Sequence, residues 1–442
     1  MPIPYSPSGA TAKAIAASLE RAVTDGRIQP GAAITPIRSL ADQLGVNPNT
    51  VAAAYRLLRE RGIVETAGRR GTRVRSRPPV TPVDRPPLEI PAGVRDLSDG
   101  RPAARLLPRL AEPLRRGAVA ARGRGYDDGD IAAGLATGAR HRLTADGVPT
   151  ERLAVTNSTL DAVERVLRVH LRPGDRVAVE DPGWGNLTDL LAVLGLVAEP
   201  VPVDDDGMLT CPLNRALAGG VRALVVTSRA QVPTGGAVSA DRARVLRRML
   251  SSHGGALLVE DDHAAGIAGV ALASLAGATD SWAYVRSVSK AWGPDLRVAV
   301  LAGDATTIGR VRAHQRLGPG WVSHAAQEAV AQLWADPHAR TLVREAEREY
   351  ADRRNELIAA LAERGMPAHG RSGVNVWVPV RDETTAVTAL LGQGWAVAAG
   401  SRFRLVSGPG LRITVAALRA AEVLPLAGAV ARAAASGFAH GI

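Results

Sequence analysis

A small, mostly helical α+β head joined to an α/β body with a mainly parallel sheet is the fold class this sequence predicts. Three observations predict it. Positive charge is concentrated in the first 77 of 442 residues, where twelve Lys and Arg side chains face five carboxylates, so +7 of the net +11 lies there. Within that stretch, helical periodicity gives way to two short apolar runs around a basic turn. Beyond a proline-dense break, apolar runs alternate with helical patterns, as in sheets covered by helices on both faces.

The head is legible element by element. Ala12 to Asp25 spaces Ile15, Leu19, Ala22 and Val23 along one helical side. Ile37 to Leu44 reads as a short helix closed by Gly45. Asn47 is placed to cap the next helix, with Pro48 at its first position and Val51, Ala54, Tyr55, Leu57 and Leu58 at core spacing. Gly62 ends that helix. Ile63–Thr66 and Thr72–Arg75 then read as two small strands around Ala67-Gly68-Arg69-Arg70-Gly71. Helix, tight turn, helix and hairpin make a winged helix-turn-helix. Its second helix enters the major groove of double-stranded DNA with its N-terminal residues toward the bases. Asn47, Asn49 and Thr50 are therefore expected at bases or phosphates, and Arg38, Arg69 and Arg70 at phosphates or a minor groove.

Residues 78–95, dense in proline and without periodicity, read as a semi-rigid linker between residues 1–77 and a body of 96–442. The body divides into a large part, about 130–330, and a small C-terminal part, about 335–442. Expected sheet strands are Arg176–Val179, Ala223–Val226, Ala256–Val259, Ala283–Val288 and Arg297–Ala302. Ligands collect at the carboxyl ends of parallel strands, so the polar residues just after these runs are the ones of interest.

Arginine outnumbers lysine 52 to two, and one of the two lysines, Lys290, follows the Ala283–Val288 run. Arginine replaces lysine as a charge but not as a nucleophile, because its guanidinium stays protonated and forms no Schiff base. Lys13, in a polar N-terminal helix, is read as an ordinary surface residue. Near other strand ends stand Asp261, the hydroxyls of Ser158 and Thr159 before a helix, and the flat ring of Trp184. An aldehyde-trapping lysine, a carboxylate, a phosphate cradle and an aromatic ring are what pyridoxal phosphate requires.

Composition bounds the rest. A single cysteine, Cys211, excludes an intrachain disulfide framework and fits a reducing cytoplasm. No signal peptide or membrane-spanning stretch stands out, and no metal site is expected. A cytoplasmic protein that does not engage membranes is the expectation.

Two resemblances follow from these motifs. Ala33 to Val74 resembles the GntR-type head, although its proline is displaced to Pro36 and Asn47-Pro48 replaces the usual Ser-Arg, so no sequence preference carries over. Ser287-Val288-Ser289-Lys290 with Pro294, Leu296 and Arg297 resembles the lysine signature of fold-type I aminotransferases. Gln231-Val232-Pro233-Thr234-Gly235 and the stretch Pro173–Trp184 resemble the same group. A GntR head on such a body resembles the MocR family of bacterial regulators. That resemblance implies a homodimer binding paired operator half-sites, with pyridoxal phosphate or an amino-acid-like effector in the body controlling DNA binding.

Residue by residue, the resemblance implies that Lys290 forms the Schiff base and Asp261 pairs with the pyridine nitrogen. It places Trp184 against the ring, Ser158, Thr159, Ser287, Ser289 and Arg297 around the phosphate, and Arg412 on the effector carboxylate. The chain departs from the pattern at three places. His263 replaces a tyrosine that bonds the phenolic oxygen, Asn157-Ser158-Thr159-Leu160 replaces S-G-x-Q, and Ala230-Gln231 replaces H-Q. These departures tell against efficient transamination. Three readings follow in order: a ligand-responsive regulator, an aminotransferase with a vestigial head, and a regulator whose body has lost the cofactor.

Overall fold

The computed structural model describes residues 7–24, 27–29, 31–60, 63–66, 71–74, 90–126, 128–253 and 255–436. The chain divides into two compact units: residues 1–87 with the short segments 171–176 and 188–198, and the remainder of 88–442. Most of the expected linker, and with it Arg69 and Arg70 of the basic turn, lies outside the described residues.

The head contains α1 (Ala12–Thr24), α2 (Ile37–Leu44), α3 (Pro48–Glu60) and the hairpin strands β1 (Val64–Thr66) and β2 (Thr72–Val74). The strands pair antiparallel, Val64 opposite Val74. Ile15, Leu19, Leu40, Val51, Ala54, Tyr55, Leu58 and Val74 share one core. The helical spacing of these residues is what makes a single apolar seam possible. The Tyr55 hydroxyl, buried in that seam, donates to the Thr35 carbonyl at 2.5 Å. Asn47 Oδ1 accepts from the Asn49 amide at 2.8 Å, which caps α3 as its side chain predicts.

The body begins with β3 (Arg95–Asp96), α4 (Ala111–Ala120) and α5 (Ala133–Ala145). There follow β4 (Leu153–Thr156), α6 (Thr159–His170), β5 (Arg176–Asp181), α7 (Gly185–Val193), β6 (Val197–Asp204), β7 (Gly207–Met208), α8 (Thr210–Ala218), β8 (Ala223–Thr227) and α9 (Ala240–Ser252). The large part closes with β9 (Leu257–Asp262), β10 (Trp282–Ser287), α10 (Ser289–Trp292), β11 (Ala299–Gly303), α11 (Ala305–Arg316) and α12 (His324–Ala335). Eight strands form one sheet in the order β4-β11-β10-β9-β8-β5-β6-β7. Its centre, β5-β8-β9-β10, is parallel.

Two expectations need adjusting. Arg297–Ala302 was expected within the parallel set, but β11 runs antiparallel to β10. Only a four-residue helix and a short turn separate the two strands, too little for the crossover that a parallel return requires. The run ending at Val259 continues through Asp262, so Glu260, Asp261 and Asp262 are strand residues, all buried. Ser228, Ser274 and the Leu275 amide meet Glu260, His263 meets one oxygen of Asp261, and the partners of Asp262 are described below.

α13 (Pro337–Ala362) bridges the two parts of the body. Val343, Ala346 and Tyr350 join the large core, whereas Leu357, Ala360 and Leu361 join the small one. The small part adds β12 (Asn375–Pro379), α14 (Glu383–Gly392), β13 (Trp395–Ala396), β14 (Ala398–Ala399), β15 (Gly410–Thr414) and α15 (Val423–Ser436). β3 pairs with β13, and Leu97 is buried in the small core. The chain therefore enters the body through its C-terminal part and crosses to the large one along residues 98–104.

Candidate functional site

Lys290 lies in the first turn of α10, directly after β10. Its Nζ donates to the Gly100 carbonyl at 2.6 Å. Burial pushes the amine down to about 8, and the neighbouring Arg412 guanidinium pushes the same way, against Asp99. Arg412, buried on β15, donates through Nη2 to the Ser98 carbonyl and lies 4.8 Å over the Phe403 ring. Its Nε is buried without a hydrogen-bond partner. Two basic side chains thus converge on the neutral carbonyls of Ser98 and Gly100, with Asp99 acting on both without a hydrogen bond to either. Gly100 has φ +68, and a Cβ there would stand 3.1 Å from Arg412 Nη1. Only glycine keeps this approach open.

Asp261 stands on β9 beside Val285 of β10, two residues before Ser287. Its Oδ2 accepts from His263 Nδ1 at 2.8 Å. The other oxygen, Oδ1, is buried with no partner. At the start of α6, Ser158 Oγ accepts from the Asp161 amide at 3.1 Å, and Asp161 in turn accepts from the Asn157 amide at 2.9 Å. Thr159 Oγ1 is a second buried polar atom without a partner. Ser287 Oγ bonds Ser289 Oγ at 3.2 Å. Trp184 is half-buried after β5.

Not every candidate converges. Arg297 has φ 49 and an exposed side chain, whose Nη1 reaches only the Pro294 carbonyl at 3.5 Å. His263 is engaged through Nδ1 by Asp261, so a bond to a ligand oxygen would have to come from its other nitrogen. In the head, Arg38, Asn47 and Asn49 are exposed and Thr50 half-buried, with Asn47 committed to its cap through Oδ1.

Three features carry no signal in the sequence. Asp181 accepts four hydrogen bonds from the 405–407 loop, namely the amides of Leu405, Val406 and Ser407 and the Ser407 hydroxyl, at 2.8–2.9 Å. It ties the end of β5 to the loop beyond Phe403, the residue whose ring lies beneath Arg412. Glu180, fully buried, accepts from the Thr227 amide and Gln231 Nε2, and burial pushes its carboxyl up to about 7. Asp262, on the opposite face of the sheet from Asp261, is gripped by Arg229 at 2.7 Å, by Arg286 at 3.1 Å and by the Tyr284 hydroxyl. Nothing within any one segment signals these contacts, because each joins residues over twenty positions apart.

Residues 11–74 match the family described as bacterial regulatory proteins, gntR family, and residues 126–430 match aminotransferase class I and II. The chain is 36% identical, over 95% of its length and 97% of the relative's, to the vitamin B6 salvage pathway transcriptional repressor PtsJ of Salmonella typhimurium. It is 25% identical over 77% of its length, and 75% of the relative's, to a protein of Rhizobium meliloti named "Probable rhizopine catabolism regulatory protein MocR". The kynurenine aminotransferase of Pyrococcus horikoshii superposes on it with a TM-score of 0.70 at 19% identity, over 78% of this chain and 92% of that one.

Proposed function

The chain belongs to the aminotransferase class I and II family and, through its gntR-family head, to the MocR-type transcriptional regulators; on that premise we propose that pyridoxal phosphate, alone or with an amino-acid-like effector, controls its DNA binding. The observation that carries this reading is a pair of orphaned polar atoms, Asp261 Oδ1 and Thr159 Oγ1, in a body that also encloses a lysine of lowered pKa. Buried polar atoms without partners are costly unless a ligand meets them. The residues present fit the group.

When bound, the cofactor supplies an aldehyde and a protonated pyridine ring that withdraws electrons. The chain's own residues do the rest. Lys290, with its amine near 8, is neutral often enough at physiological pH to attack a carbonyl. His263 orients Asp261, leaving Oδ1 to accept a ring N–H. Thr159 Oγ1 and the first turn of α6 would hold a phosphate. Arg412, already beside Lys290, would exchange the Ser98 carbonyl for an effector carboxylate, a stronger partner. Release of residues 98–100 is then the first structural consequence of effector binding.

The similarity to a repressor named for vitamin B6 salvage supports this choice of ligand. We place the protein in the cytoplasm as a homodimer on operator DNA. Among the described residues no helix is long and apolar enough to cross a membrane. The test is the visible absorption spectrum with added pyridoxal phosphate, for wild type and Lys290→Ala. A yellow band that borohydride abolishes, present in wild type only, is expected. Colourless wild-type protein would sink the reading, and steady conversion of amino donors without DNA affinity would favour a working aminotransferase.

A further inference from the structure

A cavity of about 710 Å³ opens on the face of the sheet that carries Asp262, between α5, the α12–α13 junction and the ends of β9 and β10. Side chains alternate along a strand, so this face is the reverse of the one bearing Asp261. Four guanidinium groups line the cavity: Arg142, Arg229, Arg286 and Arg340. Arg229 and Arg286 are answered by Asp262, and Arg286 also by Asp146 at 2.6 Å. Arg142 has only the Trp334 carbonyl, at 3.0 Å, and no carboxylate within ion-pair distance. Arg340 has no side-chain partner among the described residues. Two carboxylates against four guanidiniums leave two positive charges on the wall.

The wall is also flat and apolar on one side. The Arg142 guanidinium lies 5.0 Å from the Trp334 ring and 5.6 Å from the Trp292 ring. Gly138 of α5 makes this possible, since a Cβ there would stand 2.9 Å from Trp334 Cε3. Burial lowers the Arg142 guanidinium, and Arg340 and Arg286 lower it further, against a smaller opposing pull from Asp146.

We propose that this cavity is a second ligand site, built for a small dianion that carries a flat ring, an aromatic phosphate monoester. The Arg340 guanidinium and the donors of Arg142 not given to the Trp334 carbonyl match the charge and the oxygen geometry of a phosphate monoester. Trp292 and Trp334 offer the ring an aromatic surface. Ser287 and Val288 line the same cavity and lead directly into Lys290, so a ligand here bears on the lysine segment from behind. This second site goes beyond the function proposed for the Lys290 site and does not rest on it.

The experiment is a calorimetric titration of the full-length protein with phenyl phosphate, with inorganic phosphate and phenol as comparison probes. Four proteins are compared: wild type, Arg142→Gln with Arg340→Gln, Arg340→Gln alone, and Thr159→Glu, which blocks the α6 side with a carboxylate. Phenyl phosphate is expected to bind wild type and Thr159→Glu alike. Its dissociation constant should rise at least tenfold in the double variant and severalfold in Arg340→Gln, and both comparison probes should bind more weakly. If the double variant fails to fold, Arg340→Gln, an exposed change, decides. No binding to wild type, unchanged affinity in the folded Arg variants, or loss confined to Thr159→Glu would each overturn the proposal. A wild type without the yellow band would defeat the function proposed for the Lys290 site and leave the outcome of this titration unaffected.

Discussion

In the proposed function Lys290 carries the chemistry of the body, and its environment sets the pH at which it would act. Burial first, and Arg412 second, bring the amine down to about 8. The protonated form prevails below that value and the nucleophilic form above it. Capture of pyridoxal phosphate, followed by absorbance, should therefore accelerate as pH rises through about 8 rather than near the ordinary lysine value. Arg412→Gln removes a repelling cation, so its midpoint should move upward; an unmoved midpoint would remove Arg412 from the lysine's surroundings. Asp262 has the opposite role. Burial alone would raise its carboxyl, but Arg229 and Arg286 outweigh that and hold it below the usual value. A depressed carboxylate adds stability above its unfolded pKa and loses it as pH falls through the folded one. Asp262→Ala, which takes from Arg229 its close carboxylate partner and leaves Arg286 with Asp146 alone, should destabilise the body by about 3–5 kcal/mol in denaturant titrations near neutral pH. The loss should shrink in acid.

At the scale of elements, the proposed operator binding divides the helix-turn-helix into two kinds of DNA contact. Asn49 lies at the start of α3, and Arg38 lies exposed on α2. Asn49→Ala should cost about 1–3 kcal/mol on a preferred duplex and relax specificity. Arg38→Ala should weaken all duplexes alike and reduce the salt slope by about one. Leu58→Ala, in the centre of the head core, should cost about 2–5 kcal/mol and lower DNA affinity by unfolding the head; a spectrum of the Lys290 site left unchanged would show that the loss stays there. These elements were legible because helical spacing, an Asn cap and a glycine stop are local signals. Lys290 and Asp261 drew notice because they follow apolar runs, and Ser158 and Thr159 because they precede a helix. What the sequence hid is long-range. The clasp of Asp181 on 405–407, the grip of Arg229 on Asp262 and the antiparallel return of β11 depend on which strands become neighbours. The extension of β9 through three acidic residues was hidden too, since burial of Glu260 and Asp262 needs Ser228 and Arg229 from another segment.

For the whole molecule, ligand control of DNA binding requires a free-energy coupling between a ligand in the body and DNA on the head. A coupling of about 1.4 kcal/mol is a tenfold change in affinity, and reciprocity demands that DNA alter ligand affinity by the same factor. The direct measurement is the affinity of the full-length protein for a duplex it selects from a random pool, with and without pyridoxal phosphate, at fixed salt. Wild type should change at least tenfold and Lys290→Ala should not change. Equal affinity in wild type with and without pyridoxal phosphate, under conditions where the yellow band has formed, would contradict control of the head by the body.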